Sequence, residues 1–201
     1  RHALGVVSPD GPRDLAIAYT PLHGVAGALT LRLLAAAGFP APTVVDRQMQ
    51  PDPDFPTLAY PNPEEPGALD LVVAAATDAG SDLALAHDPD GDRLGVAARR
   101  GQRWVALDGN QIAALLADHL LGRTSGPDRL VVRTLVSSAL VDRIAEAHGA
   151  HHLETLTGFK WVVRAGMAHP EWRWIFGFEE ALGYAVDSYV RDKDGLTAAA
   201  V

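Results

Sequence analysis

Three aspartates at alternate positions of one short stretch are the residues of this sequence best placed to do chemistry. Asp88, Asp90 and Asp92 are separated by one proline and one glycine, which bend the backbone so that the three carboxylates can face one point. Oxygen ligands alone favour Mg²⁺ or Ca²⁺ over zinc, and bound Mg²⁺ usually keeps positions for water or a phosphate. The stretch therefore predicts a hard-cation site, and Mg²⁺ is the ion we expect there.

Three alternatives compete with this interpretation. In an EF-hand loop beginning at Asp88, the glycine of position 6 and the glutamate of position 12 would fall on Arg93 and Arg99. A phosphatase loop with Asp88 as nucleophile requires an Asp-x-Asp-x-Thr/Val pattern, and Asp92 occupies the last position. A polar surface turn explains a single Asp-Gly pair well. Three spaced aspartates followed by an arginine favour the metal site over all three.

Further polar residues follow predicted strands, where open α/β sheets bind their ligands. Lys160 is placed to meet an anion or a sugar hydroxyl, although a solvated lysine would look the same. Glu179 and Glu180 could accept hydrogen bonds from two sugar hydroxyls, or could be a surface acid pair. Lys193 lies in a charged loop and could place a cation beside a phosphate, or could belong to a solvated turn.

The histidines carry less information. His23 is the only titratable group of note in its loop, and we expect it to be structural. His151 and His152 are neighbours in a predicted strand and so point to opposite faces, which disfavours a shared zinc ion.

The elements that must position these residues alternate between strands and helices. Apolar runs predict strands at residues 15–19, 43–46, 83–86, 94–98, 104–107, 130–132, 151–155 and 172–176. Helices are predicted at residues 25–37, 66–79 and 111–121. A fourth helix is predicted to have Ser137 as its N-cap and to end at 147, a fifth to follow the strand at 151–155 and end at 167, and a sixth to begin at about 196. We place a domain boundary near Asp108, between two α/β units that we expect to meet at a modest, polar interface.

Composition sets the broad class. The chain has 201 residues, of which 48% are hydrophobic and 21% charged, as in a globular protein with one large or two small domains. The absence of cysteine excludes disulfides and thiolate chemistry, and no apolar run approaches the ~20 residues that span a bilayer. We therefore expect a cytoplasmic protein with no membrane partner. The net charge of −8 also disfavours nucleic-acid binding.

Five stretches resemble, in the required order, the α-D-phosphohexomutases, which are the phosphoglucomutase and phosphomannomutase superfamily. They are Tyr-Thr-Pro-Leu-His-Gly at 19–24, Asp-Pro-Asp-Gly-Asp-Arg at 88–93, Thr-Leu-Thr-Gly-Phe-Lys-Trp at 155–161, Gly-Phe-Glu-Glu-Ala-Leu-Gly-Tyr at 177–184 and Asp-Lys-Asp-Gly at 192–195. We call residues 88–93 the metal loop and residues 177–184 the sugar loop. Members of the family have four domains, and this chain resembles the second (residues 1–107, with the metal loop) and the third (residues 108–201, with the sugar loop). The implied fold class is α/β, with two consecutive three-layer α/β/α domains and mixed, mostly parallel sheets.

The resemblance implies an activity and a role for each candidate. The chain would be part of a Mg²⁺-dependent intramolecular phosphotransferase of the isomerase class, which moves phosphate between C1 and C6 of glucose or mannose phosphate through a phosphoserine and a bisphosphate. The implied roles are Mg²⁺ binding by Asp88, Asp90 and Asp92, catalysis by Arg93 and Lys160, and substrate binding by Glu179, Glu180 and Lys193. The nucleophilic serine would lie outside this chain, in a missing first domain, and a missing fourth domain would hold the substrate phosphate. We therefore expect the isolated chain to be inactive.

One position departs from the family pattern. Many hexomutases have serine two places after the first glutamate of the sugar loop, where this chain has Ala181. The run Glu-Glu-Ala-Leu-Gly-Tyr is closer to the phosphopentomutase-type branch. A phosphopentomutase-type enzyme and a non-catalytic sugar-phosphate-binding module therefore stay open as alternatives.

Overall fold

The computed structural model describes residues 2–201 as two β-sheets, each covered by helices on both faces. The strands are β1 (Ile17–Thr20), β2 (Thr43–Val44), β3 (Leu83–His87), β4 (Leu94–Arg100), β5 (Arg103–Leu107), β6 (Arg129–Thr134), β7 (His151–Thr155), β8 (Arg173–Glu179) and β9 (Gly183–Ala185). The helices are α1 (Gly27–Ala36), α2 (Asp70–Ala79), α3 (Gly109–Gly122), α4 (Leu140–Ala147), α5 (Phe159–Met167) and α6 (Gly195–Ala200), with short 3-10 helices at His2–Gly5 and Asp46–Gln48. Within the described residues no helix is both long enough and apolar enough to cross a membrane.

The first sheet has the strand order β2-β1-β3-β4-β5. Strand β1 is parallel to β2 and β3, whereas β4 and β5 are antiparallel to their neighbours. Residues of β1 alternate between the faces, so that Tyr19 packs towards α1 and Ala18 packs towards α2. Both faces are therefore buried, which explains why β1 is apolar without a polar alternation.

The second sheet repeats this arrangement with the order β7-β6-β8-β9. Strand β6 is parallel to β7 and β8, and β9 is antiparallel to β8. Helix α5 covers one face, and helices α3 and α4 cover the other. The predicted fold class, two three-layer α/β/α units with mixed, mostly parallel sheets, is confirmed.

The two units share an apolar core, so the expectation of a polar interface is wrong. One continuous buried cluster contains Tyr19 and Leu85 of the first sheet together with Val131 and Phe176 of the second. Helix α6 packs against β9 of the second sheet and also against α1, β3 and β4 of the first unit, and its Ala198 joins the same cluster. Removal of this apolar surface from water stabilises the pair of units as one body.

Several element ends differ from the prediction. Helix α2 begins at Asp70 instead of 66, because the preceding residues form turns and Gly67 has a φ of 84°. Strand β8 continues to Glu179, and the short strand β9 was not predicted. Strand β5 ends at Leu107 and α3 begins at Gly109, and we propose the domain boundary between residues 107 and 108.

Ser137 is not the N-cap that the sequence suggested. Helix α4 begins at Leu140, two residues later than an N-cap at Ser137 would require, and its N-cap residue is Ala139. The Ser137 hydroxyl instead contacts Thr134 and Glu180.

Candidate functional site

The metal loop is the turn between the antiparallel strands β3 and β4. One carboxylate oxygen from each of Asp88, Asp90 and Asp92 lies within 4.8 Å of the other two. Burial raises the pKa of the Asp88 carboxyl to about 6, and repulsion by the charges of Asp90 and Asp92 adds to the rise, against the backbone hydrogen bond and charge of Arg93. The predicted cluster of three carboxylates is therefore present, with Asp88 buried among negative charges.

The donor set of the metal loop fits a hard divalent cation. All three convergent groups are oxygen donors, which Mg²⁺ and Ca²⁺ prefer. The Arg93 backbone N–H donates to Asp88 Oδ1 at 3.0 Å, and Arg93 Nε lies 3.6 Å from Asp88 Oδ2. These contacts orient the Asp88 carboxylate but leave a raised pKa, so the loop still favours an added positive charge.

The segment at residues 20–25 packs against the backbone of the metal loop. The Val25 backbone N–H donates to the Pro89 carbonyl at 2.8 Å, and a Cβ on Gly24 would overlap with the backbone of Pro89. Glycine is therefore needed where the two backbones approach each other. His23, which we expected to be structural, is buried, and its Nε2 lies 2.8 Å from the Thr57 hydroxyl.

The sugar loop occupies the corresponding turn of the second sheet, between β8 and β9. The Gly158 backbone N–H donates to Glu179 Oε1 at 2.7 Å, and the Ser137 hydroxyl donates to Glu180 Oε2 at 2.8 Å. Among residues 2–201, no protein group donates to Oε2 of Glu179 or to Oε1 of Glu180. Each carboxylate is thus held by one oxygen, and its second oxygen can accept further hydrogen bonds.

The metal loop and the sugar loop are in direct contact. Arg93 forms an isolated antiparallel bridge with Gly183, and the Leu94 N–H donates to the Leu182 carbonyl at 3.2 Å. Lys193 Nζ lies 3.0 Å from Asp92 Oδ2. The attraction of Asp92 helps to raise the pKa of Lys193, against an opposing effect of burial, so this cation persists beside the carboxylates.

Lys160 is a predicted site residue for which the structure of residues 2–201 shows no ion pair or hydrogen bond to either loop. It is exposed on the first turn of α5, and its Nζ lies 5.6 Å from the centre of the Trp161 ring. Within the described part of the chain it makes no ion pair with either loop. It does follow Gly158, the residue that holds Glu179.

Sequence reasoning missed three polar residues next to the loops. Burial raises the pKa of the Glu64 carboxyl, the positive charge of Arg93 lowers it, and the negative charge of Glu180 raises it further. Thr134 and Ser137 are buried under Glu180. Thr134 and Ser137 have short polar side chains that are common in turns, so the sequence alone does not mark them as site residues. Only their contacts with Glu180 in the folded chain do so.

Two family models cover this chain. The model described as phosphoglucomutase/phosphomannomutase, alpha/beta/alpha domain II, matches residues 3–101. The model for alpha/beta/alpha domain III of the same family matches residues 108–201.

Curated relatives and solved structures agree with these matches. A probable phosphomannomutase of Haemophilus influenzae is 43% identical over 190 residues, which are 94% of this chain and 38% of the relative. The phosphoribomutase of Saccharomyces cerevisiae is 38% identical over 202 residues, covering 91% of this chain and 32% of the relative. The structure of a phosphoglucomutase/phosphomannomutase family protein from Burkholderia thailandensis superposes with a TM-score of 0.80 at 25% identity, over 98% of this chain and 40% of that one. The chain therefore spans well under half the length of these proteins.

Proposed function

The chain belongs to the phosphoglucomutase/phosphomannomutase family, and we propose that it forms the metal-binding and sugar-binding centre of a Mg²⁺-dependent phosphosugar mutase. The reaction moves a phosphate group between two oxygens of one sugar phosphate, C1 and C6 of glucose or mannose in the main proposal. A phosphoserine outside this chain donates the group, and a sugar bisphosphate is the intermediate.

The observation that carries this proposal is the contact between two kinds of group. Three convergent carboxylates lie in a loop that is bridged to the sugar loop, and two cations neighbour them, Arg93 from the same loop and Lys193 from the segment before α6. A phosphoryl group needs charge neutralisation, and a sugar needs hydrogen-bond acceptors within a few ångströms of that charge. The contact between the two loops supports a single site that meets both requirements.

On the phosphate side, Asp88, Asp90 and Asp92 would hold Mg²⁺. The ion supplies neutralisation of the charge that develops on the transferred phosphoryl oxygens. Arg93 and Lys193 would bind the same phosphoryl oxygens with their side-chain donors, since each already lies beside an aspartate of the loop.

On the sugar side, Glu179 and Glu180 would accept hydrogen bonds from hydroxyl groups. Each has one oxygen already bound by the protein, so its orientation is set before the substrate arrives. Lys160 would stand on the wall of the cleft, where its flexible side chain can reach an anion or a hydroxyl.

A phosphopentomutase is the second candidate. Ala181 removes the hydroxyl that many hexomutases carry in the sugar loop, and the relative from Saccharomyces cerevisiae is a phosphoribomutase. The same metal loop would serve either substrate, because the transferred group is a phosphate in both.

Kinetics test the proposal. The full-length protein that contains this chain should convert glucose 1-phosphate to glucose 6-phosphate with Mg²⁺ and a trace of glucose 1,6-bisphosphate, and lose this activity on chelation. Ribose 1-phosphate with its bisphosphate, assayed in parallel, separates the hexose from the pentose proposal by kcat/KM. Absence of turnover with every sugar phosphate would leave the sugar-phosphate-binding module as the better description.

The isolated 201-residue chain should show no turnover in the same assay. It lacks the proposed donor serine and the phosphate clamp of a fourth domain, so it should bind without completing the reaction. Turnover above that of the Asp90→Asn variant would show that the nucleophile lies within residues 1–201.

A further inference from the structure

Two buried hydroxyl groups lie under the sugar loop. Thr134 is the last residue of β6, Ser137 lies three residues later, and both side chains are buried. Their oxygens are 2.7 Å apart. The Ser137 hydroxyl is 2.8 Å from Glu180 Oε2, and the Glu180 backbone N–H donates to Ser137 Oγ at 3.1 Å.

The direction of each hydrogen bond follows from the donors available. An ionised carboxylate only accepts, and Ser137 Oγ lies 2.8 Å from Glu180 Oε2 whereas Thr134 Oγ1 lies 3.5 Å from it, so Ser137 is the better placed donor to Glu180. With the Ser137 hydrogen directed to Glu180, Ser137 Oγ accepts from the Thr134 hydroxyl and from the Glu180 N–H. Ser137 therefore uses its one donor and both acceptor positions, and holds Glu180 by its side chain and its backbone together.

Contacts with α3 fix the other side of this arrangement. The Ser138 backbone N–H donates to Asn110 Oδ1 at 2.7 Å. The Glu180 carbonyl lies so close to Gly109 that a Cβ there would overlap with it. The segment that carries Ser137 and the loop that carries Glu180 therefore both rest on the beginning of α3.

Capping of a helix does not explain Ser137. Helix α4 has Ala139 as its N-cap residue, and the Leu140 N–H is bound by the Ser138 hydroxyl at 3.2 Å. Ser137 is buried, does not cap the adjacent helix, and donates a hydrogen bond to Glu180, 43 residues away. We therefore assign the Ser137 hydroxyl to the support of the sugar loop.

We propose that Ser137, oriented by Thr134, is the positioning residue that holds Glu180 for recognition of a sugar hydroxyl. The inference rests on the proposed function, in which Glu180 contacts the sugar. Ser137 occupies Oε2 and so leaves Oε1 as the oxygen that accepts from the substrate. The pair of hydroxyls thus selects one orientation of Glu180 before binding, in the part of the loop where Ala181 offers no hydroxyl of its own.

The test compares steady-state kinetics of the full-length protein carrying Ser137→Ala, Thr134→Val, Ser138→Ala or Glu180→Gln. Ser137→Ala should raise KM for the sugar phosphate about tenfold and change kcat less than about twofold, because a sugar contact that is equal in the ground and transition states is weakened. Thr134→Val keeps the shape of the side chain and should raise KM less. Ser138→Ala is the matched control, since it removes a neighbouring hydroxyl that contacts α4 and not Glu180.

Circular dichroism and thermal unfolding establish whether each variant is folded. If the Ser137→Ala variant does not fold, Thr134→Val tests the same pair of hydroxyls. Hydrogen exchange of the Glu180 amide gives a reading that does not depend on turnover, and the exchange should quicken in Ser137→Ala and not in Ser138→Ala. A rise in KM for Glu180→Gln with no rise for Ser137→Ala and Thr134→Val would overturn the inference and leave the proposed function intact. Unchanged kinetics in Glu180→Gln would instead remove Glu180 from the proposed sugar site.

Discussion

The metal loop and the sugar loop occupy the same position in two similar sheets but differ in the hydrogen bonds and the charges that surround their carboxylates. Each loop joins the third strand of its sheet, in chain order, to an antiparallel fourth strand. In the sugar loop, Glu179 and Glu180 each accept a hydrogen bond from their own domain. In the metal loop, Asp88 also accepts a hydrogen bond, from the Arg93 N–H, yet burial and like charges still raise its pKa to about 6.

This difference in the surroundings of the carboxylates predicts a different ligand for each loop. In the sugar loop each glutamate has one oxygen that accepts from the protein and one that does not, which suits a neutral ligand rich in hydroxyls. A loop whose acids repel one another is stabilised by an added cation, because the cation removes the repulsion. We therefore expect changes in the metal loop to alter Mg²⁺ affinity strongly and changes in the sugar loop to alter it little.

The largest effect should come from Asp90→Asn. The amide keeps the shape of the side chain but removes one anionic ligand, so Mg²⁺ affinity of the 201-residue chain should fall by at least about tenfold. Isothermal titration calorimetry measures this, with Asp78→Asn as control, because Asp78 is exposed at the end of α2. Equal affinity in wild type and Asp90→Asn would remove Asp90 from the site.

Acidification should produce the next largest effect. The pKa of Asp88 in the folded chain is about 6, above that of an unfolded carboxyl, so protonation of Asp88 favours folding fully below about pH 4, and this contribution is lost as the pH rises through 6. Mg²⁺ requires the ionised form, so its affinity should fall about tenfold between pH 7 and pH 5. Calorimetric titrations at the two pH values check this, and equal affinities would contradict the proposed role of Asp88.

The smallest effect on the metal should come from Glu179→Gln. This carboxylate is bound by the Gly158 N–H and belongs to the sugar side, so Mg²⁺ affinity should change by less than about twofold. In the full-length protein, kcat/KM should fall by roughly tenfold, since a sugar contact is lost. An unchanged kcat/KM would remove Glu179 from the substrate site, and a large loss of Mg²⁺ affinity would erase the contrast between the two loops.

The sequence predicted the metal loop better than it predicted the sugar loop. Two apolar runs flank residues 88–93, so the strand-turn-strand arrangement and the convergence of Asp88, Asp90 and Asp92 follow from local pattern. Strand β9 has only three residues, Gly183–Ala185, and its pairing partners lie elsewhere in the chain. No local periodicity signals so short a strand, and the bridge between the loops could not be predicted either.

Two errors have the same physical origin. Ser137 followed a loop and preceded a helical pattern, which is the position of an N-cap, but its partner Glu180 is distant in sequence. The face of β1 that carries Tyr19 looks like the core of a single domain, yet it joins a core that also contains residues of the second sheet. Local pattern shows that a side chain is buried and does not show which distant element buries it.

Mapping of Mg²⁺ onto the 201-residue chain by two-dimensional ¹H–¹⁵N NMR tests the contrast between the loops most directly. We expect saturable shifts to be largest for the amides of residues 88 and 90–93, smaller for Gly183 and Lys193, which contact the metal loop, and negligible for Glu179 and Glu180. The shifts should disappear in Asp90→Asn. Largest shifts at Glu179 and Glu180, or equal shifts in wild type and Asp90→Asn, would contradict the assignment of the cation to the metal loop.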